Sequence, residues 1–199
     1  MIDREKLAAA AVRKSRESVD TQRAFFDENG ASIVAFAEAL ASRFETGGRL
    51  FVFGNGGSAC DAAHVAVEFA HPIVEKRKPL PALALAADTA LLTATANDQD
   101  FALVYAKQLR LLGRAGDAAL GISSSGKSAS VNRGLRAARE LGMTTLGLVG
   151  KDGGAMVDLC DHLLHVPSFS IHRIQEVHVA LLHVIWDLVH VIRGEEDVL

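Results

Sequence analysis

Residues 49–58 read RLFVFGNGGS, and their character changes halfway along. Residues 49–53 are a short apolar run between Gly47-Gly48 and Gly54, the profile of a strand buried on both faces. Gly54, Gly56 and Gly57 then let the backbone turn sharply and approach a ligand with no Cβ in the way. Ser58 is expected to cap a helix that runs to about Ala70. A helix N-terminus offers unpaired N–H groups and a partial positive charge, which suit an anion or a sugar hydroxyl. A glycine-rich turn serves equally well as a plain tight turn, so the rest of the chain must decide.

Upstream, residues 6–44 carry apolar positions at helical spacing without proline, and Asn29-Gly30 is the one break. Two helices are therefore expected before the first strand. Downstream, residues 81–86 (PALALA), 118–122 (AALGI), 144–149 (TTLGLV) and 162–166 (HLLHV) are further short apolar runs separated by helical segments. This alternation predicts an α/β fold with a doubly wound, five-stranded parallel sheet flanked by helices. It fits one domain over 1–199, with an N-terminal helical extension at about 4–44 and the sheet domain at about 47–194. In such sheets ligands bind beyond the carboxyl ends of the strands. The loops at 54–58, 87–98, 123–128 and 150–154 are thus the places to look for a site.

Composition narrows the classes. The 199 residues are 49% hydrophobic and 23% charged, with a net charge of −3 and no run of Lys or Arg, so a nucleic-acid footprint is absent. Cys60 and Cys160 lack metal or redox spacing, and are expected as small buried residues in a reducing cytosol. Residues 1–6 alternate acid and base rather than showing a secretory profile, which places the chain in the cytoplasm. The most apolar stretch, 177–192, is interrupted by His178, His183, Asp187 and His190 and falls short of the ~20 residues of a bilayer span. A buried helix, with no membrane, is expected there.

The third strand runs into Gly121-Ile122-Ser123-Ser124-Ser125-Gly126-Lys127-Ser128, with four serines whose hydroxyl and backbone donors would converge on an anion. The same letters spell GxxxxGKS, the pattern of a nucleotide-binding P-loop. Against that reading, the loop follows the third strand, and TTLGLV is followed by Gly150-Lys151 rather than by an aspartate placed for Mg²⁺. Lys127 is expected as a solvated residue at the helix start.

Acid–base chemistry has two sources. The helix after the first loop carries Asp61, His64 and Glu68, and a spacing of four puts His64 and Glu68 on one face. Its small and apolar flanking residues suggest a largely buried helix, where a carboxylate is costly unless paired. The last helix carries Arg173, Gln175, Glu176, His178 and His183. Gln175 and His183 are separated by about 12 Å of helix rise, so the complete site is expected to draw on more than one chain.

Five segments in this order resemble the phosphosugar isomerase (SIS) domain, and within it the sedoheptulose 7-phosphate isomerases, or phosphoheptose isomerases: GNGGSACDAAHVAVE (54–68), TATANDQDF (93–101), GDAALGISSSGKSASV (116–131), GKDGG (150–154) and RIQEVHVALLH (173–183). The resemblance implies that Asn55, Gly56, Gly57, Ser58, Glu68, Asn97, Asp98, Ser123, Ser124, Ser125, Ser128 and Gln175 hold a phosphorylated sugar. It implies Glu68 as catalytic base and His183 as catalytic acid. It also implies one zinc per subunit on His64, Glu68, Gln175 and His183, in a homotetramer whose N-terminal helices pack in the oligomer and whose active site lies between subunits. The activity implied is conversion of sedoheptulose 7-phosphate to D-glycero-D-manno-heptose 7-phosphate through an enediol. The alternative is a non-catalytic phosphosugar-binding or replication initiator-associating member; the resemblance implies that the initiator-associating relatives lack the histidine matching His183. Two positions depart from the pattern: Glu68 is followed by Phe69-Ala70-His71-Pro72-Ile73 where relatives carry an arginine, and Ile171-His172 precedes Arg173.

Overall fold

Successive residues of each strand alternate between the two sides of the sheet, and both sides are apolar. The computed structural model describes residues 3–74 and 76–197. Its strands are β1 (Leu50–Gly54), β2 (Ala82–Ala84), β3 (Ala118–Ser123), β4 (Thr144–Gly150) and β5 (His162–Val166). They pair in parallel throughout, in the order β2-β1-β3-β4-β5. The helices are α1 (Arg4–Glu45), α2 (Gly57–Ala70), α3 (Thr89–Asp98), α4 (Val104–Leu112), α5 (Ala129–Glu140) and α6 (Ile171–Ile192).

Leu50 and Val52, with Leu120, Ile122, Leu146 and Leu148, pack among α1, α2 and α6, whereas Phe51, Phe53, Ala119 and Val149 pack among α4 and α5. The sheet is therefore doubly wound, as the strand and helix alternation requires. Strand order reverses between β1 and β3, and the loops leaving these two strands open onto one crevice, where such folds bind ligands.

Several expectations need correction. Residues 4–45 form one helix, not two. Gly30 costs a helix about 1 kcal/mol, and Asn29 keeps its side chain in the helical path by donating to the Phe25 carbonyl at 2.8 Å. Residues from Phe25 to Phe44 then bury one stripe that carries the helix across the break. Helix α2 starts earlier than expected because Gly56, at φ 57°, makes the turn, so Ser58 lies inside the first turn rather than capping it. Cys60 is exposed and Cys160 only half-buried. Helix α2 buries Ser58, Asp61, Ala62, Val65, Ala66 and Phe69 but leaves Cys60, Ala63, Val67 and Ala70 outside, so it is half-covered rather than largely buried. Helix α6 reaches 22 residues and by length and composition alone could cross a bilayer, yet its apolar side packs against α1, α2 and the sheet.

The starts of β1 and β3 are tied by an ion pair. Asp117 is fully buried and accepts from the Arg49 amide (2.9 Å), the Arg49 guanidinium (2.8 Å) and the Arg114 amide (3.1 Å). Burial pushes the carboxyl up, but these hydrogen bonds and the Arg49 charge outweigh it and hold the pKa below its ordinary 3.8. Because the folded value is the lower one, the contribution to stability is complete above about pH 4 and is lost as pH falls through the folded value. Asp117→Asn is expected to cost about 3 kcal/mol at pH 7. Melting temperatures of variant and parent should converge as the solution is acidified below pH 4, whereas equal values at pH 7 would show that the pair carries no stability.

Candidate active site

The two loops on the crevice enclose a cavity of about 160 Å³ lined by Asn55, Ser58, Ile122, Ser123, Ser124, Ser125 and Ser128. That is small for a nucleotide, since pockets for larger ligands start near 300 Å³, and it suits a single phosphate group. Asn55 braces it: its amide nitrogen donates to Ser128 Oγ (2.6 Å) and Ser130 Oγ (2.9 Å), and its oxygen accepts from the Tyr105 hydroxyl (3.1 Å). Ser123 Oγ accepts from the Gly126 amide at 3.1 Å, and Ser125 Oγ from the Lys127 amide at 3.3 Å. Gly126, at φ +64°, lies so close to the 150–154 loop that a Cβ would fall 1.9 Å from the Gly153 carbonyl oxygen. Lys127 is exposed and paired with Asp152 at 2.7 Å, so it does not reach into the cavity as a P-loop lysine would.

A second cluster lies along α2 and α6. These helices run side by side in the same direction: Gln175 meets Gly57, His183 meets His64, and Trp186 meets Glu68. His183 Nε2 is 3.2 Å from His64 Nε2, and His64 Nε2 is 3.4 Å from Glu68 Oε1. Ligand atoms of His64, Glu68 and His183 all lie within 4.8 Å of one another. Donors at the corners of a tetrahedron around zinc, with bonds of about 2.0–2.1 Å, are separated by about 3.3 Å. Two imidazole nitrogens and a carboxylate at these spacings thus fit a divalent metal. Gln175 presents its carboxamide to Gly57 instead, and among the described residues it makes no hydrogen bond to the other three. It does share a wall with His183, in an open groove of about 540 Å³ that Gln22, His172, Glu176, Val179 and Ala180 complete. Asp61, one turn ahead of His64, is buried, and burial raises its carboxyl to about 6 against the opposing pull of the His64 charge.

Asn55, Ser58, Ser123, Ser124, Ser125 and Ser128 are brought to one cavity, with Gly56 and Gly57 at its α2 side. Asn97 and Asp98 are not: they sit exposed at the end of α3, where Asn97 donates to Asp98 at 2.8 Å. Sequence reading missed three supports. Tyr105, the only tyrosine, is buried and also donates to the Gly54 carbonyl, and burial lifts its hydroxyl to about 12. Ser130 completes the partners of Asn55, and Asn132 holds the Gly126 carbonyl at 3.0 Å. A lone tyrosine on an amphipathic helix was the only signal available for the first, since the contact joins residues 51 apart.

The chain is similar to known proteins along most of its length. Residues 15–150 match the SIS domain family. The phosphoheptose isomerase of Roseiflexus sp. is 47% identical over 86% of this chain and 87% of its own length. The one from Aquifex aeolicus is 41% identical over 87% and 91%. The structure of phosphoheptose isomerase GmhA from Neisseria gonorrhoeae superposes with a TM-score of 0.87 at 38% identity, covering 92% of this chain and 98% of that one. With the serine cavity at the switch point, the His64–Glu68–His183 cluster on the paired helices and this similarity along most of its length, the chain belongs to the SIS-domain family, in its phosphoheptose isomerase branch.

Proposed function

We propose that the chain isomerises sedoheptulose 7-phosphate to D-glycero-D-manno-heptose 7-phosphate. The observation that carries this reading is a carboxylate and two imidazoles, Glu68 and His64 on α2 and His183 on α6, gathered where the two helices meet, while the first turn of α2 also borders the serine cavity. The phosphate is seated by Ser123, Ser124, Ser125 and Ser128 and the 55–58 turn, with no Lys or Arg in the lining. Asn97 and Asp98 take sugar hydroxyls. Glu68 removes a proton from C1 beside the C2 carbonyl, giving the enediol as O2 gains a proton, and the C–H bond then reforms at C2 as O1 loses its own. His183 moves the proton between the two oxygens. A zinc ion held by His64, Glu68 and His183, with Gln175 as a fourth donor, would supply Lewis-acid polarisation of the substrate oxygens.

The same reading makes residues 1–199 one domain that works in the cytoplasm as a homotetramer with shared active sites. Two observations support the sharing. Gln175 is two turns from His183 and turned to Gly57, and α2 presents an uncovered apolar stripe that includes Val67, 53% exposed, beside the cluster. Leu7, Val12 and Val19 on the exposed first half of α1 offer a second surface for subunit packing.

Following aldose heptose 7-phosphate by NMR, Glu68→Gln and His183→Ala are expected to lower turnover by roughly 10²–10⁴-fold; full activity in both would reject the residue assignment, and a correctly folded parent chain without turnover would reject the substrate. Ser124 has a hydroxyl in the cavity and no partner among the described residues. Ser124→Ala should therefore raise KM by about tenfold, the worth of one hydrogen bond to a charged group, with little change in melting temperature. An unchanged KM would place the phosphate elsewhere. Mixing inactive Glu68→Gln and Gln175→Ala proteins under subunit exchange is expected to restore activity, and a mixture as inactive as its parts would confine the site to one chain.

A further inference from the structure

The carbonyls in the last turn of α2 find unlike partners. Val67 accepts from the His71 amide and Phe69 from the Leu80 amide, each at 2.8 Å. Between them, the Glu68 carbonyl would look four residues ahead for its helical partner, and residue 72 is proline, which has no N–H. Pro72 also disfavours helix at the residue before it, and His71 accordingly leaves the helix at φ −141°, ψ 73°. The orphaned carbonyl is taken up by the indole of Trp186, whose Nε1–H donates to it from α6 at 2.9 Å.

We propose that Trp186 is a positioning residue for the cluster of His64, Glu68 and His183, a role that rests on the function proposed for that cluster. Its hydrogen bond ends on the backbone of the residue that supplies the base, and it stands three residues after His183, on the same side of α6. It therefore pins α6 along α2 within one turn of the point where the two imidazoles meet. Trp186 is itself held from behind. The Arg77 guanidinium lies 4.4 Å over its ring, His190 packs edge-on at 5.0 Å, and Arg77 is anchored by a buried ion pair with Asp187. With the indole only 5% exposed, water does not readily replace the donor.

Trp186→Phe in the full-length chain keeps a ring in place and removes the N–H. Zinc affinity, read by competition with a chromophoric chelator, should weaken about tenfold, and kcat should fall about tenfold with KM within about twofold, the scale seen when a ligand's supporting contact is lost. Adding Pro72→Ala returns an amide four residues beyond Glu68 and frees His71 to extend the helix. The double variant satisfies the Glu68 carbonyl without rejoining α6 to α2, so both losses are expected to persist in it. Unchanged zinc affinity and kcat in the single variant, or recovery of both in the double variant, which would trace the losses to an unpaired carbonyl alone, would overturn the proposal. Should the parent chain hold no zinc, the metal reading of the cluster falls, and persistence of the kcat loss in the double variant still decides the role of Trp186.

Discussion

Helices α6 and α2 run in register from the point where Gly57 meets Gln175: a Cβ at Gly57 would lie 2.2 Å from the Gln175 amide nitrogen, so a side chain there would displace the end of Gln175. The offset between the helices is near-constant along their length, since His64 meets His183 and Glu68 meets Trp186 at sequence separations of 119 and 118. Two helices in such register carry each pair of facing side chains at a fixed separation. The imidazoles of His64 and His183 meet about two turns beyond Gly57 in that same register. The next residue, Ser58, lines the phosphate-sized cavity, so α2 contributes to both halves of the site.

That cavity is held open by neutral groups that support one another. Asn55 crosses from the β1 loop to the β3 loop and uses its amide on Ser128, Ser130 and Tyr105, while Gly126 is wedged against Gly153 and held by Asn132. Buried polar groups that are satisfied by each other rigidify a site, whereas partly satisfied ones would make it costly. The hydroxyl of Ser124 stays outside this mutual pairing, and so remains available to a ligand.

Much of the fold was legible because its signals are local. The β1 run is apolar on consecutive residues since both faces of the sheet are covered, and the 162–166 run coincides with β5. At Asn29-Gly30 the sequence signals a break that α1 does not have, because a local signal says nothing of the stripe from Phe25 to Phe44 that packs across it. Within the site, the serine run and the His64 and Glu68 spacing are visible in sequence because they lie on single elements. The bracing by Tyr105 and the carbonyl taken by Trp186 are not, since each joins residues brought together only by tertiary packing, 50 and 118 positions apart. Cys60 is exposed rather than buried for a related reason: composition does not tell which side of a helix turns outward.

The serine cavity proposed to seat the phosphate has no Lys or Arg among the described residues that line it, and this has a kinetic side. Its lining draws on hydroxyls and backbone dipoles, whose fields fade within a few ångströms, and the chain as a whole carries a net charge of −3. The cavity lining therefore offers an anionic sugar phosphate little guidance at a distance. Encounter is left to diffusion and discrimination to the last contact, so the cradle itself gives capture that responds weakly to ionic strength, unlike the salt-dependent steering of clefts lined with lysine or arginine.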